Sequence, residues 1–191
     1  MQKLQFSTQI NAPKEKIWNI LWDDKTFRDW ANNIDPGMSL SGKLEKGAKV
    51  RFVGGDPKYG VTSLVENLVP NELVTFRHLA DAAEGDKPER EHEWTGGQET
   101  YSLSEQNGIT TLTIVLDTPP EQVENFKERL PKVLARIKEL SESKIAPSGS
   151  GIAIGIAMGA ALGAAFDNIA MGIAIGVALG AAFEATRAAK K

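Results

Sequence analysis

The chain has 191 residues, 41% of them hydrophobic and 25% charged, which places it among ordinary soluble globular proteins. A formal net charge of -3 gives no general attraction to nucleic acid or anionic lipid, so no nucleic-acid partner is expected. The absence of cysteine removes disulfides, thiolate chemistry and cysteine metal sites and fits a reducing compartment, while two histidines leave little basis for a histidine metal site.

Residues 1–8 alternate apolar and polar from the start and lack the basic-then-apolar layout of a secretory signal, so a cytoplasmic protein beginning on a strand is expected. Leu4, Phe6, Thr8 and Ile10 form one face of that strand. Asn11-Ala12-Pro13 then predicts a capped helix with proline in its first turn, running to about Trp22 with an apolar stripe of Ile17, Ile20 and Leu21. Asp23-Asp24 is positioned to cap a second short helix carrying Phe27 and Trp30. Strand signals follow over residues 48–53, 60–69, 72–79, 98–103 and 109–116, with turns at Asp56-Pro57, Pro70-Asn71 and Asn107-Gly108. Such short connections predict an antiparallel meander. Residues 81–93, charged and containing Pro88, read as a long loop at the sheet rim. Pro119-Pro120 opens a helix in which Val123, Phe126, Leu130, Val133, Leu134, Ile137 and Leu140 recur at helical spacing, a face that needs a sheet to cover.

The breaker-rich run Ala146-Pro147-Ser148-Gly149-Ser150 ends this charged region. Residues 1–147 hold 19 basic and 23 acidic side chains, and residues 148–191 hold three and two. The expected organisation is a domain over 1–145, a linker over 146–150 and a helical hairpin over 151–186. The hairpin rests on an internal repeat: residues 152–166 and 169–183 agree at 12 of 15 positions, with Asp167-Asn168 as a polar turn between the copies. Glycine recurs at Gly155, Gly159 and Gly163 and again at Gly172, Gly176 and Gly180, the small-xxx-small spacing that lets helix backbones touch.

A helix apolar on all sides must be buried, in lipid or in protein. The basic residues Lys144, Arg187, Lys190 and Lys191 flank the hairpin on one side, as at a cytoplasmic membrane face. Against insertion, a copy of about 16 residues extends roughly 24 Å as helix, short of the roughly 30 Å hydrocarbon core. Membrane association, a homo-oligomer zipped through the glycines, and packing on the chain's own domain all remain open.

The order strand, two helices, six strands and a long helix resembles the START-like superfamily, the birch-allergen-like or SRPBCC helix-grip fold. Local motifs agree: Ile10-Asn11-Ala12-Pro13 with Ile17-Trp18 and Phe27-Arg28-Asp29-Trp30 is similar to the family opening, and Glu66, Pro70, Leu73 and Phe76 to its Glu...Pro...Leu...Phe strand pair. Gly97, Glu99, Thr100 and Tyr101, then Leu112-Thr113-Ile114, then Phe126, Leu130-Pro131, Leu134 and Ile137, resemble the bacterial branch related to the heat-shock-protein ATPase activator. The fold class implied is α+β, a curved antiparallel sheet around a long C-terminal helix, followed by the glycine-zipper hairpin.

That resemblance implies an apolar cavity between the concave sheet face and the last helix, with expected lining residues Trp30, Phe52, Phe76, His78, Glu99, Tyr101, Phe126 and Leu130. His78 is either a polar group for a ligand or a histidine bonded to a neighbour, and Glu99 with Arg51 or Arg77 is either an anchor for a polar head or a cross-strand ion pair. Trp18 and Trp30 suit the core, and Gly54-Gly55 and Gly96-Gly97 suit turns or bulges. No spacing matches a Ser-His-Asp set, a phosphate loop or a metal site, so no catalytic residue, metal or cofactor is assigned. The expected function is binding of a hydrophobic small molecule or lipid, against two alternatives: a protein-interaction module resembling chaperone ATPase activators, and a cyclase- or hydrolase-type cavity enzyme.

Overall fold

The computed structural model describes residues 1–56, 60–81 and 94–143. The alternating N-terminus forms β1 (Gln2–Ile10). Two helices follow, α1 (Lys14–Trp22) and α2 (Asp24–Ala31). Six strands come next: β2 (Ser39–Ser41), β3 (Lys49–Val53), β4 (Gly60–Val69), β5 (Leu73–Asp81), β6 (Gln98–Gln106) and β7 (Ile109–Thr118). A 3-10 turn over Pro120–Gln122 leads into α3 (Val123–Glu142). The count of six agrees with the helix-grip order, and β2 is the strand that local patterning alone does not announce, since three residues are too few to show a period.

All strands pair antiparallel in one curved sheet of order β1-β7-β6-β5-β4-β3-β2. Its tight turns follow from their residues. Asn107 and Gly108 both take positive φ, 55° and 77°, between the paired Gln106 and Ile109, which is the geometry of a two-residue type I′ hairpin. Asn71, at φ 64°, makes the β4–β5 turn. Between these two strands the register slips twice, at Leu79 and at Glu66, and each extra residue bends the pair.

Pro13 stands one position earlier than expected, as the extended residue before α1, and the Asn11 side chain makes no cap. The first free N–H of the helix, that of Lys14, instead donates to Glu105 Oε2 at 2.9 Å, a carboxylate brought from the end of β6. A negative group at a helix N-terminus is favourable, so the sheet supplies the cap that the local sequence lacks. Asp23 behaves as expected and accepts from the Lys25 and Thr26 N–H groups at the start of α2.

The core lies between the concave sheet face and the helices. Ile10, Leu112, Ile114 and Leu116 from the sheet meet Ile17, Leu21, Phe27 and Trp30 from α1 and α2, and Leu130, Val133, Leu134 and Ile137 from α3. Arg136 ties α3 to α2 by a two-pronged ion pair with Asp29, at 2.6 and 2.9 Å. Among the described residues no helix is long and apolar enough to cross a membrane. The rim loop at 82–93, the linker and the C-terminal repeat with Gly155, Gly159, Gly163, Gly172, Gly176 and Gly180 lie outside the described residues.

Candidate functional site

The concave face is not filled to its end. Between α2, the segment after it, strands β3 to β6 and the start of α3 lies a cavity of about 520 Å³, within the range of small-molecule sites. Phe27 and Trp30 come from α2, Ile34, Asp35 and Met38 from the following segment, and Phe52 from β3. Val61 and His78 face it from β4 and β5, Glu99 and Tyr101 from β6, Gln122 from the 3-10 turn, and Phe126 and Arg129 from α3. Trp94 completes the wall.

Trp94 is held there by the backbone. Gly96 takes φ 85°, its N–H donates to the His78 carbonyl, and the Gly97 N–H donates to the Trp94 carbonyl. The pair is therefore a turn, as expected, and it folds the indole back so that its ring lies 6.2 Å from His78 and 5.5 Å from Phe126, edge to face in both cases. At the other end Phe27 meets Trp30 at 4.8 Å and Trp30 meets Tyr101 at 6.4 Å. Such aromatic contacts make a firm apolar wall.

Glu99, Tyr101 and His78 are among the polar groups that interrupt it. Strand alternation turns Glu99 and Tyr101 to the same side, and the Tyr101 hydroxyl donates to Glu99 Oε1 at 2.7 Å. Burial pushes the Glu99 carboxyl above the usual carboxylate range, and the Tyr101 bond offsets only part of that. Burial, with the neighbouring Glu99 charge, raises the Tyr101 phenol well above its ordinary value. His78 is buried, its Nδ1 lies 2.8 Å from Ser63 Oγ, and burial lowers it to about 4 against a weaker opposing pull from Asp117. The imidazole is thus neutral at neutral pH.

Of the residues expected from the sequence, Trp30, Phe52, His78, Glu99, Tyr101 and Phe126 meet on this wall. Phe76 and Leu130 do not. Phe76 is fully buried behind Phe52 and Tyr101 and capped by Trp22 at 5.5 Å. Leu130 is 2% exposed and turned into the core. Arg77 stands between the buried Phe76 and His78, so it points to the outer face, where it pairs with Glu66 at 3.2 Å; it is no partner for Glu99. Arg51 likewise alternates with the buried Val50 and Phe52. Trp30 proves to be core and wall at once, and Trp18 is half-buried against the core. Among the described residues no group of three His, Asp or Glu side chains is placed to hold a metal.

Sequence reasoning missed Gln122 and Arg129. With Phe126 they recur at i, i+4 and i+7, a polar-edged stripe beside the apolar one, and that spacing was the available signal. Trp94 and the segment carrying Ile34, Asp35 and Met38 had no such signal, because turns and not periodicity place them.

A family model for "Activator of Hsp90 ATPase homolog 1-like protein" matches residues 11–142, and one for "Glycine zipper membrane protein" matches residues 141–190. No curated protein matches the sequence. Among solved structures, the Aha1 dimer from Colwellia psychrerythraea is similar at 21% identity and TM-score 0.54, covering 75% of this chain and 99% of that one. MLL2253 from Mesorhizobium loti is similar at 17% identity and TM-score 0.55, covering 73% and 96%. DynU16, from the dynemicin biosynthetic locus, is similar at 20% identity and TM-score 0.56; the match covers 75% of this chain and 48% of DynU16. These likenesses establish the helix-grip fold.

Proposed function

The chain belongs to the Activator of Hsp90 ATPase homolog 1-like family, whose fold is that of a ligand-binding or interaction module, and from this premise we propose that it binds an apolar small molecule or lipid in the cavity. The observation that carries this is an open volume of about 520 Å³ walled by Trp30, Phe52, Trp94, Tyr101 and Phe126. A module that worked only through its outer surface would gain stability by closing such a space, since lining atoms there lack packing partners. The paired Glu99 and Tyr101 are the feature a cavity enzyme would need. Tyr101 keeps its proton, however, and occupies one Glu99 oxygen, so the pair is assigned an anchoring role.

Uptake of the neutral fluorophore N-phenyl-1-naphthylamine tests the reading. The full chain is expected to bind it, and Phe126→Ala, which removes a half-buried wall residue, is expected to weaken binding about tenfold, near 1.4 kcal/mol. No uptake by the parent chain would overturn the cavity reading, and so would equal affinity in Phe126→Ala, because the probe would then sit elsewhere.

For the C-terminal repeat we propose attachment, to a membrane or to a second copy of the chain, through its glycine faces. Gly159→Ile and Gly176→Ile each raise intrinsic helix propensity slightly while adding a side chain where backbones would touch. Sedimentation and vesicle flotation are expected to show smaller species or less bound protein. Unchanged assembly and unchanged flotation in both variants would reject the zipper.

A further inference from the structure

On the cavity wall the Glu99 carboxylate forms no ion pair with a described residue. Glu99 sits half-buried there, and the contact it makes is the hydrogen bond from the Tyr101 hydroxyl to Oε1. Among the described residues no lysine or arginine forms an ion pair with it. Arg77 is engaged with Glu66 on the opposite face of the sheet, and Arg129, on the same wall as Glu99, donates to the Ile34 carbonyl. His78, also on the wall, is neutral and lies against Ser63. A buried carboxylate is costly unless it is paired, and burial indeed holds this one above its ordinary range. A protein that needed only an apolar pocket would place leucine or phenylalanine at this inward position, as it does at Leu103 and Phe52 on the same sheet.

Much of the remaining wall is aromatic, with Asp35, Gln122 and Arg129 as its other polar groups. Trp30, Trp94, Tyr101 and Phe126 surround the space with ring faces and edges, and such faces attract a cation once water is excluded. We propose that the cavity's ligand is an apolar molecule carrying one protonated amine, whose N–H groups dock on Glu99 while its hydrocarbon part fills the aromatic space. Pairing on this wall would be charge-assisted, and so stronger than a neutral hydrogen bond. The assignment deepens the ligand-binding reading and rests on it.

Calorimetric titration of the full chain at neutral pH with 2-naphthylmethylamine and 2-naphthylmethanol separates charge from shape. The two probes share their ring system and differ in whether the polar end is a cation. The amine is expected to bind about tenfold more tightly to the parent, and Glu99→Gln, whose amide oxygen still accepts from Tyr101, is expected to lower the amine's affinity to that of the alcohol. Tyr101→Phe frees Glu99 Oε1 but also removes the donor that partly stabilises the charged carboxylate, so an amine preference that persists in this variant would rest on Glu99 alone. Equal affinities in the parent, or a preference that survives Glu99→Gln, would each overturn the amine assignment. In those cases displacement of the neutral fluorophore by both probes leaves the apolar cavity standing. Failure of the chain to take up either probe or the fluorophore overturns both readings together.

Discussion

Lowering the pH from 6.5 to about 4 is expected to remove on the order of 3 kcal/mol of stability through one buried side chain, His78. The ring is 6% exposed, and its surroundings hold it at about 4 against an ordinary 6.5. In the unfolded chain it takes up a proton near 6.5, whereas in the folded chain it stays neutral until about 4. Between those values the unfolded state binds more protons, so stability falls as pH falls, by up to about 1.4 kcal/mol per pH decade. Above pH 6.5 the effect is absent. Of two other shifted groups, one acts below this range and one within part of it. Asp29, held low by Arg136, contributes stability that is lost only below the ordinary carboxylate range. Glu99, held high by burial, has the opposite sign and contributes less stability as pH rises past its ordinary value. Comparison with His78→Asn isolates the histidine, since asparagine still offers Ser63 a hydrogen-bond partner and does not titrate. Urea midpoints followed by fluorescence of Trp18, Trp22, Trp30 and Trp94 should diverge between parent and variant below pH 6.5. Parallel curves down to pH 4.5 would mean that His78 is solvated in solution and not part of the cavity wall.

What the sequence discloses depends on whether an element is periodic. α3 was legible because Val123, Leu130, Val133, Leu134 and Ile137 form a single stripe, and all five are buried. β6 was legible as a strand over 98–103, but alternation alone left open which of its faces turns inward, and the burial of Tyr101 and Leu103 decides it. The family resemblance added the concave face and so six of the residues now found on the cavity wall. Two kinds of feature escaped. Bulges at Glu66 and Leu79 insert one residue each, which shifts the parity of a strand midway and leaves no composition signal. The other kind is depth. Phe76 and Tyr101 face the same side of the sheet and both meet Trp22 from α1, at 5.5 and 5.1 Å, yet only Tyr101 reaches the cavity. Parity tells which way a side chain points, but only the packing of another element decides whether it meets a ligand or a neighbour.

That difference sets the largest expected effect of a single substitution. Phe76→Ala is expected to destabilise the chain by about 3–5 kcal/mol, the range for removing a fully buried phenylalanine. Its ring is 0% exposed and sits edge to face with Phe52 at 5.1 Å, Trp22 at 5.5 Å and Tyr101 at 6.4 Å, so the removed atoms take a packing contact from three aromatic groups at once. These neighbours are held by two strands and a helix and have little freedom to close the gap, which places the cost toward the upper end. A total stability of roughly 5–15 kcal/mol makes this a large share. Phe126→Ala differs in kind: that ring is half-buried on a cavity wall, so its loss removes ligand contact and costs less stability. At a temperature where both variants are folded, Phe76→Ala should therefore show the lower urea midpoint and Phe126→Ala the weaker fluorophore binding. A stability loss below about 2 kcal/mol for Phe76→Ala, with an unchanged denaturant slope and binding weakened as much as in Phe126→Ala, would place Phe76 on the wall. The Trp22 lid over it would then be open in solution, and the cavity would extend beneath α1.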